Sequence, residues 1–264
     1  MNALLAGPWR YRHFIWTSIR NEFLSRIVGS RLGLIWMILH PLSQVLVYAL
    51  ILSVILSARL PGIESRFGYA AFITSGILAW TLFSEILVRC LNMYIDNANL
   101  LKKIVFPRIC LPIIITGSAI LNSSLLFLAA LIVFAAIGHL PGAAVLWLPL
   151  LLVINVALAA GLGLLLGVIN VFIRDIGQLV VVALQFGFWL TPIIYSAEIA
   201  PEPFRTLLAL NPLYFVVTGY QNALIFNTAP NLLGLAWVGG LSATLLLCAF
   251  GLFRRAGPDM VDML

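Results

Sequence analysis

Few side chains in this chain could do chemistry, and the ones that stand out are a charged pair in an apolar setting. Glu85 and Arg89 are four residues apart, so a helix would place them on one face with the acidic residue first, which is the favourable order. At membrane depth such groups tend to pair and to face the interior of a bundle, whereas at the membrane surface they would cost little. Both placements are open from the sequence.

Metal and hydrolytic chemistry are not predicted. The three histidines, His13, His40 and His139, are far apart, and the sequence contains neither an HExxH motif nor a Cys/His cluster. A GxxxxGK[ST] loop is also missing, so the chain has no phosphate cradle with which to hydrolyse ATP. We expect no catalytic residue, no metal and no cofactor in this chain, and we expect any ATP and Mg²⁺ to be bound by a partner.

The apolar composition explains why such residues are scarce. Of 264 residues, 62% are hydrophobic and 9% are charged, whereas soluble domains average about 25% charged residues. In a membrane chain the net charge of +6 reports topology and contact with anionic lipid, so no nucleic-acid partner is expected. We predict one all-α integral membrane domain over residues 1–264, with a cytoplasmic interface helix in 1–31, a spanning region in 32–253 and a cytoplasmic tail in 254–264.

Six stretches are apolar enough to cross a bilayer, which takes roughly 20 apolar residues each. We therefore predict six transmembrane helices. Their ranges are 32–58, about 67–91, 109–138, 141–173, 176–197 and about 232–253. The stretch over 141–173 is longer than one span requires, so a tilt or an interfacial first turn should absorb the excess.

Basic residues indicate the orientation and a surface helix. With the N-terminus inside, twelve Lys and Arg residues lie on the inner side and three on the outer side, which predicts that both termini are cytoplasmic. Residues 9–28 predict an amphipathic helix with a basic face that lies on the membrane. Its apolar residues recur at every fourth position, at Ile15, Ile19, Phe23 and Ile27. An ordinary basic flank before the first span is the alternative.

The segment between the fifth and sixth spans has two apolar pieces, 204–210 and 213–226, that are each too short to cross. Asn211 and Pro212 separate them. They predict a re-entrant helical hairpin at the outer face, where protein or a water-filled cavity must cover the backbone. An interfacial loop lying flat is the alternative.

The two inner loops are predicted to form a short helix and a charged turn. Asp96 or Asn97 can cap a short helix that Pro107 ends, and the apolar face of that helix needs a docking partner. Another protein is the favoured partner, and the base of this chain's own bundle is the alternative. The next inner loop is a short charged turn at Arg174 and Asp175.

The order of these features resembles one family. The segments that carry the resemblance are SRLGLIWMILHPL, NANLLKKIVFPRICLP, NVFIRDIGQ, FWLTPIIYSAEIAPEPFRTLLALNPLYFVVTGYQNAL and FRRAGPDMVDML. Together they are similar to the permease subunit of type 2 ABC exporters for polysaccharides, over essentially the whole chain. The resemblance implies a homodimer in the inner membrane, bound to two copies of a separate ATPase subunit, that moves a lipid-linked polysaccharide. The IVFPR and RDI forms favour O-antigen or teichoic acid over capsule, and O-antigen is the substrate we expect.

The resemblance also implies roles for particular residues. A coupling helix over 97–106 would sit in a cleft of the ATPase, with the charged turn as a smaller second contact, and 204–226 would hold the outer gate. The expected coupling residues are Asn97, Leu100, Leu101, Lys102, Lys103, Ile104, Phe106, Pro107, Arg108, Arg174 and Asp175. The candidates for the channel or gate are Trp80, Phe83, Glu85, Arg89, Phe186, Trp189, Tyr195, Asn211, Pro212, Tyr214 and Tyr220.

Two other functions stay open. One is a sibling exporter of drugs or small lipids. The other is an integral-membrane transferase that acts on polyprenyl-linked sugars, for which Glu85, Asp96 and Asp175 are the candidate acids or bases, none of them in a recognisable constellation.

Overall fold

A computed structural model describes residues 11–28, 35–36, 39, 43, 66–98, 110–136, 138, 140–199 and 201–263. All regular elements in these ranges are helical, as predicted. In chain order they are α1 (Arg12–Val28), α2 (Arg66–Asp96), α3 (Cys110–Ala136), α4 (Leu148–Phe172), α5 (Asp175–Leu190), α6 (Glu202–Leu210), α7 (Pro212–Gln221) and α8 (Leu232–Met263). Short 3₁₀ turns at Ala143–Trp147 and Ala197–Ile199 and a π-helical turn at Asn222–Phe226 complete the described elements.

Four helical stretches in the described ranges are long and apolar enough to cross a membrane. They are Gly68–Asp96, Cys110–Ala135, Ala143–Phe172 and Leu232–Ala256. These stretches confirm four of the predicted apolar helices. Most of the predicted first span, 32–58, lies outside the described residues.

The predicted fifth span ends earlier than expected. We expected it to continue to residue 197, but α5 ends at Leu190 after 16 residues. The cause is Pro192, which has no backbone N–H and disfavours helical geometry at the residue before it. Thr191 is accordingly extended, with φ −108° and ψ 134°. At 1.5 Å per residue α5 rises about 24 Å, less than the hydrocarbon core of about 30 Å.

The helix α2 is the central element of the bundle. It packs against α3, α4, α5 and α7. In the most apolar 18-residue stretch of α2, 72% is buried inside the protein, compared with 28% in the corresponding stretches of α3 and of α8. Residues on α2 are therefore surrounded by protein, while α3 and α8 leave much of their apolar surface for lipid or another chain.

Two glycines bring α4 against α2. A Cβ at Gly163 would lie 2.8 Å from Cβ of Cys90, and a Cβ at Gly167 would lie 2.6 Å from the Cys90 carbonyl oxygen. In membranes, small residues one turn apart let two helix backbones approach closely, and van der Waals contact then stabilises the pair. The two helices thus meet at their backbones, with no space for a side chain between them.

The close contact predicts how two similar substitutions differ. Gly167→Ala should lower the midpoint of thermal unfolding of the detergent-solubilised protein, because overpacking costs about 1–3 kcal/mol. Gly240→Ala is the matched control, since a Cβ there would meet nothing within 4 Å, and its midpoint should be unchanged or slightly higher. Equal midpoints for the two variants would contradict the backbone contact.

Candidate functional site

Polar side chains from α1, α2 and α3 meet within the bundle. Nη1 of Arg89 lies 3.4 Å from Oε1 of Glu85, and Nη2 of Arg89 pairs with the carboxylate of Glu22 on α1. Asn122 of α3 donates from Nδ2 to Oε2 of Glu85 at 2.8 Å. The side chains of Glu85 and Arg89 are 16% and 19% exposed, so the pair lies inside the packed bundle. We refer to Glu22, Glu85, Arg89 and Asn122 as the ion cluster.

The guanidinium group of Arg89 contacts groups on three helices, α1, α2 and α3. Besides its two carboxylates, Arg89 directs Nη1 at Oγ of Ser118 and at the Ile115 carbonyl oxygen of α3, at 3.4 and 3.5 Å. Removing one member of a buried ion pair leaves an uncompensated charge, which costs far more than the pair itself contributes. A shift of α1 or α3 against α2 would therefore require this cluster to rearrange.

The surface helix α1 also has an apolar contact with the bundle. Ile15 and Ile19, two of the residues predicted to form its apolar face, are each 8% exposed and pack against α3. A Cβ at Gly117 would lie 2.6 Å from Cδ1 of Ile19. Phe23 is half-buried, and the side chain of Ile27 lies outside the described residues. A helix is thus confirmed over Arg12–Val28, and Ile15 and Ile19 of its predicted apolar face contact protein. That this helix lies on the membrane stays a prediction.

The charged turn between α4 and α5 is confirmed. Arg174 and Asp175 are exposed, and Asp175 lies in the first turn of α5, where the helix dipole favours a carboxylate. Asn170, a residue that the sequence did not single out, holds this turn. Its Oδ1 accepts from the Gly177 backbone N–H at 3.0 Å, and its Nδ2 lies 3.3 Å from the Leu91 carbonyl oxygen of α2. In the sequence, the signal that could have identified Asn170 is an amide residue within an otherwise apolar run.

The predicted coupling helix lies almost entirely outside the described residues. Asn97 follows the end of α2, and its Nδ2 donates to the Met93 carbonyl oxygen at 2.8 Å. The other predicted coupling residues of this segment are outside the described ranges, namely Leu100, Leu101, Lys102, Lys103, Ile104, Phe106, Pro107 and Arg108. Their contact with an ATPase stays a prediction.

The aromatic candidates for the channel or gate divide into two groups. Trp80 and Phe83 of α2 are part of the packed bundle, and the ring of Trp80 meets that of Phe188 on α5 with centroids 5.6 Å apart. Phe186 and Trp189 are 67% and 61% exposed on α5. The first group holds α5 against α2, and the second is available to lipid, to a transported chain or to a second copy of the protein.

The broken segment after α5 forms two helices as predicted. Asn211 separates α6 from α7 and caps α7, because its Oδ1 accepts from the backbone N–H two residues later at 3.0 Å. Pro212 occupies the first position of α7, where a missing N–H is tolerated. Nδ2 of Asn211 donates to Oγ1 of Thr191 at 2.9 Å, so the break is fixed to the end of α5.

Two of the three tyrosine candidates, Tyr195 and Tyr220, differ in their surroundings. Tyr195 donates to the Trp189 carbonyl oxygen at 3.1 Å, which folds the loop after α5 back onto that helix. Tyr220 is 6% exposed and belongs to the buried hydrophobic core of the bundle. Tyr220 is thus a packing residue between α7 and the bundle in this structure.

Comparison with known proteins assigns these features to a family. A sequence model of the family described as ABC-2 type transporter matches residues 13–225. The chain is 29% identical over 264 residues to an O-antigen export system permease protein from Myxococcus xanthus, covering 99% of both chains. It is 27% identical over 216 residues to a protein of the same description from Klebsiella pneumoniae, covering 80% of both. A polysialic acid transport protein from Escherichia coli is 22% identical over 246 residues, which is 91% of this chain and 92% of that protein.

The ion cluster predicts a strong effect of removing its cation. Arg89→Gln should reduce the stability of the solubilised protein by roughly 2 kcal/mol or more, because the ion pairs of Arg89 with Glu22 and Glu85 are then lost inside the bundle. Adding Glu22→Gln should recover part of that loss. Arg20→Gln on the exposed side of α1 is the control. The role given to Arg89 is wrong if its variant unfolds at the same temperature as the control.

Proposed function

The chain belongs to the ABC-2 type transporter family, and we propose that it is the membrane-spanning subunit of an ATP-driven exporter of lipid-linked O-antigen. The observation that carries the proposal is the similarity to an O-antigen export permease, which extends over 99% of both chains. The Klebsiella relatives carry the same description. Capsule export is the alternative, supported by the weaker similarity to the polysialic acid transport protein.

The placement of the acidic residues favours transport over transferase chemistry. Glu85 is bonded to Arg89 and Asn122 inside the bundle. Asp96 and Asp175 are exposed, one at the end of α2 and the other at the start of α5. The ion cluster uses Glu85 for helix packing, so one of the three candidate acids or bases of a transferase is already engaged.

For the assembly we infer six spans with both termini in the cytoplasm. The four spanning stretches described, the apolar range 32–58 and the short helix α5 supply the spans, and the distribution of Lys and Arg supports the orientation. The helices α6 and α7 would form a re-entrant hairpin at the outer face. Two copies of this chain would bind two copies of an ATPase subunit, which holds the ATP and Mg²⁺, and the exposed rings of α5 would face the path between the copies.

The described contacts suggest how ATP-driven motion reaches the spans. The predicted coupling segment follows directly from α2, so a push on it acts first on that helix. The ion cluster joins α2 to α1 and α3. Asn170 joins α2 to the turn before α5. The inner halves of these helices would therefore move as one unit when the ATPase closes.

Loss of the chain tests the export function. Cells lacking it should lose O-antigen from their surface and accumulate lipid-linked glycan on the cytoplasmic side, and the wild-type chain should restore export. The measurement is surface O-antigen by immunoblot together with mass spectrometry of the lipid-linked pool. Accumulation of a smaller lipid, or unchanged surface O-antigen, would rule out the proposed substrate.

The coupling role of 97–106 has its own test. Replacing Leu101 and Phe106 with Asp should abolish ATP-dependent export, because charges on the apolar face would disrupt docking in the ATPase cleft. Asn21→Asp adds the same charge to an exposed position of α1 and should leave export close to that of wild type. If the double variant assembles with its ATPase and exports normally, the docking assignment is incorrect.

A further inference from the structure

A cavity of about 410 Å³ with a mixed polar and apolar wall lies where α7 and its π-helical turn meet the first part of α2. The loop after α5 and the segment before α8 complete its walls. The described residues that line it are hydroxyl, amide, aromatic and small apolar residues, and none of them is charged. Its volume is within the range of small-molecule sites, about 300–1,000 Å³.

Several polar groups on this wall have no internal partner. The side chains of Asn222 and Thr228 and the hydroxyl of Tyr214 make no hydrogen bond to another described residue. Oδ1 of Asn231 accepts from the Gly234 backbone N–H at 3.0 Å, which leaves its amide nitrogen as a donor. Four residues that line this cavity therefore have hydrogen-bond donors or acceptors that no described residue uses.

Several hydroxyl side chains elsewhere in the apolar helices bond within their own helix. Thr74 donates to the Ala70 carbonyl oxygen at 2.7 Å, Ser75 to that of Ala71 at 2.9 Å, and Thr244 to that of Gly240 at 2.9 Å. Hydroxyls in apolar helices commonly bond back to the preceding turn in this way. The side chains of Asn222 and Thr228 and the hydroxyl of Tyr214 do not bond in this way. Since these residues are partly or fully exposed, their hydrogen-bonding capacity is available to a molecule in the cavity.

The other lining groups indicate the chemistry of that partner. The rings of Phe72 and Phe226 meet at 71° with centroids 6.2 Å apart, and Tyr214 meets Phe215 at 77° and 5.1 Å. Aromatic rings provide flat apolar surface for the C–H face of a sugar ring, and neutral amides and hydroxyls match sugar hydroxyls. A phosphate or carboxylate ligand would instead call for a cation in the wall.

We propose that this cavity binds a neutral sugar segment of the exported glycan, an inference that rests on the proposed function. Phe72 precedes Arg89 by seventeen residues on α2, a rise of about 26 Å. The cavity is therefore separated from the ion cluster by nearly the thickness of a hydrocarbon core, about 30 Å. With the inferred orientation it holds the glycan on the outer side, after the sugar chain has passed the spans.

Binding by the full chain in lipid nanodiscs tests the proposal. The probe is the O-antigen polysaccharide of the source organism, released from its lipid by mild acid, and heparin is the acidic comparison. Quenching of Trp237 reports binding, because its ring lies 6.0 Å from that of Phe215 in the cavity wall. We expect saturable binding of the neutral polysaccharide and at least tenfold weaker binding of heparin. Equal affinity for both polymers would overturn the proposal.

Two variants locate the site. Asn222→Leu combined with Thr228→Val should weaken binding about tenfold, since two hydrogen bonds to the ligand are lost. Thr228→Val alone replaces an exposed side chain, so folding should be unaffected, and about threefold weaker binding is expected. Thr244→Val is the matched control, because that hydroxyl bonds within α8. Wild-type affinity in both cavity variants would overturn the proposal.

The gene deletion separates this inference from the proposed function. If deletion abolishes surface O-antigen while the cavity variants bind the polysaccharide normally, the export function stands and the cavity assignment fails. If deletion leaves surface O-antigen unchanged, the export function itself fails, whatever the cavity binds.

Discussion

A bundle this apolar keeps a charge inside only where opposite charge and hydrogen-bond partners surround it, and Arg89 obtains such partners from α1, α2 and α3. That requirement fixes several other features of the structure. It holds the surface helix α1 against the bundle at Glu22, in addition to the apolar contact of Ile19 with Gly117. It also sets the rotation of α2 about its axis, because Glu85 and Arg89 must both face α3.

The remaining contacts of α2 follow from that rotation. With the ion cluster directed at α1 and α3, the Cys90 side of α2 receives the glycine surface of α4. At its other end, Tyr69 donates to the Ile194 carbonyl oxygen at 2.9 Å and so holds the loop that leads to α6 and α7. The helix α2 thus contacts α1, the charged turn through Asn170, and the loop before α6. Packed helices shift between discrete arrangements, so a change at one end of α2 has a direct physical route to the other end.

The sequence predicted what depends on local pattern and missed what depends on partners. Apolar runs located four spanning stretches, and Asn211 with Pro212 located the break between α6 and α7, because these signals are contained in the segment itself. The end of α5 was placed seven residues too late, since the apolar run continues past Pro192 although the helix does not. The roles of Glu22, Asn122 and Asn170 could not be assigned from the sequence, because each acts through a residue on another helix. The GxxxG spacing of Gly163 and Gly167 was visible, but the sequence does not identify Cys90 as its partner.

Backbone contact between α2 and α4 also determines how the protein responds to its lipid. A helix whose apolar length differs from the bilayer thickness adjusts by tilting, by local bilayer deformation or by sliding against its neighbours. Cys90 and the Leu87 carbonyl oxygen lie so close to Gly163 and Gly167 that a Cβ on either glycine would come within 3 Å of at least one of them, and the two helix backbones are therefore in direct contact. With their backbones in contact, we expect the two helices to tilt together in a thinner membrane, and the ion cluster on α2 to tilt with them. Bilayer thickness therefore acts on this protein as a single rotation of its central pair of helices.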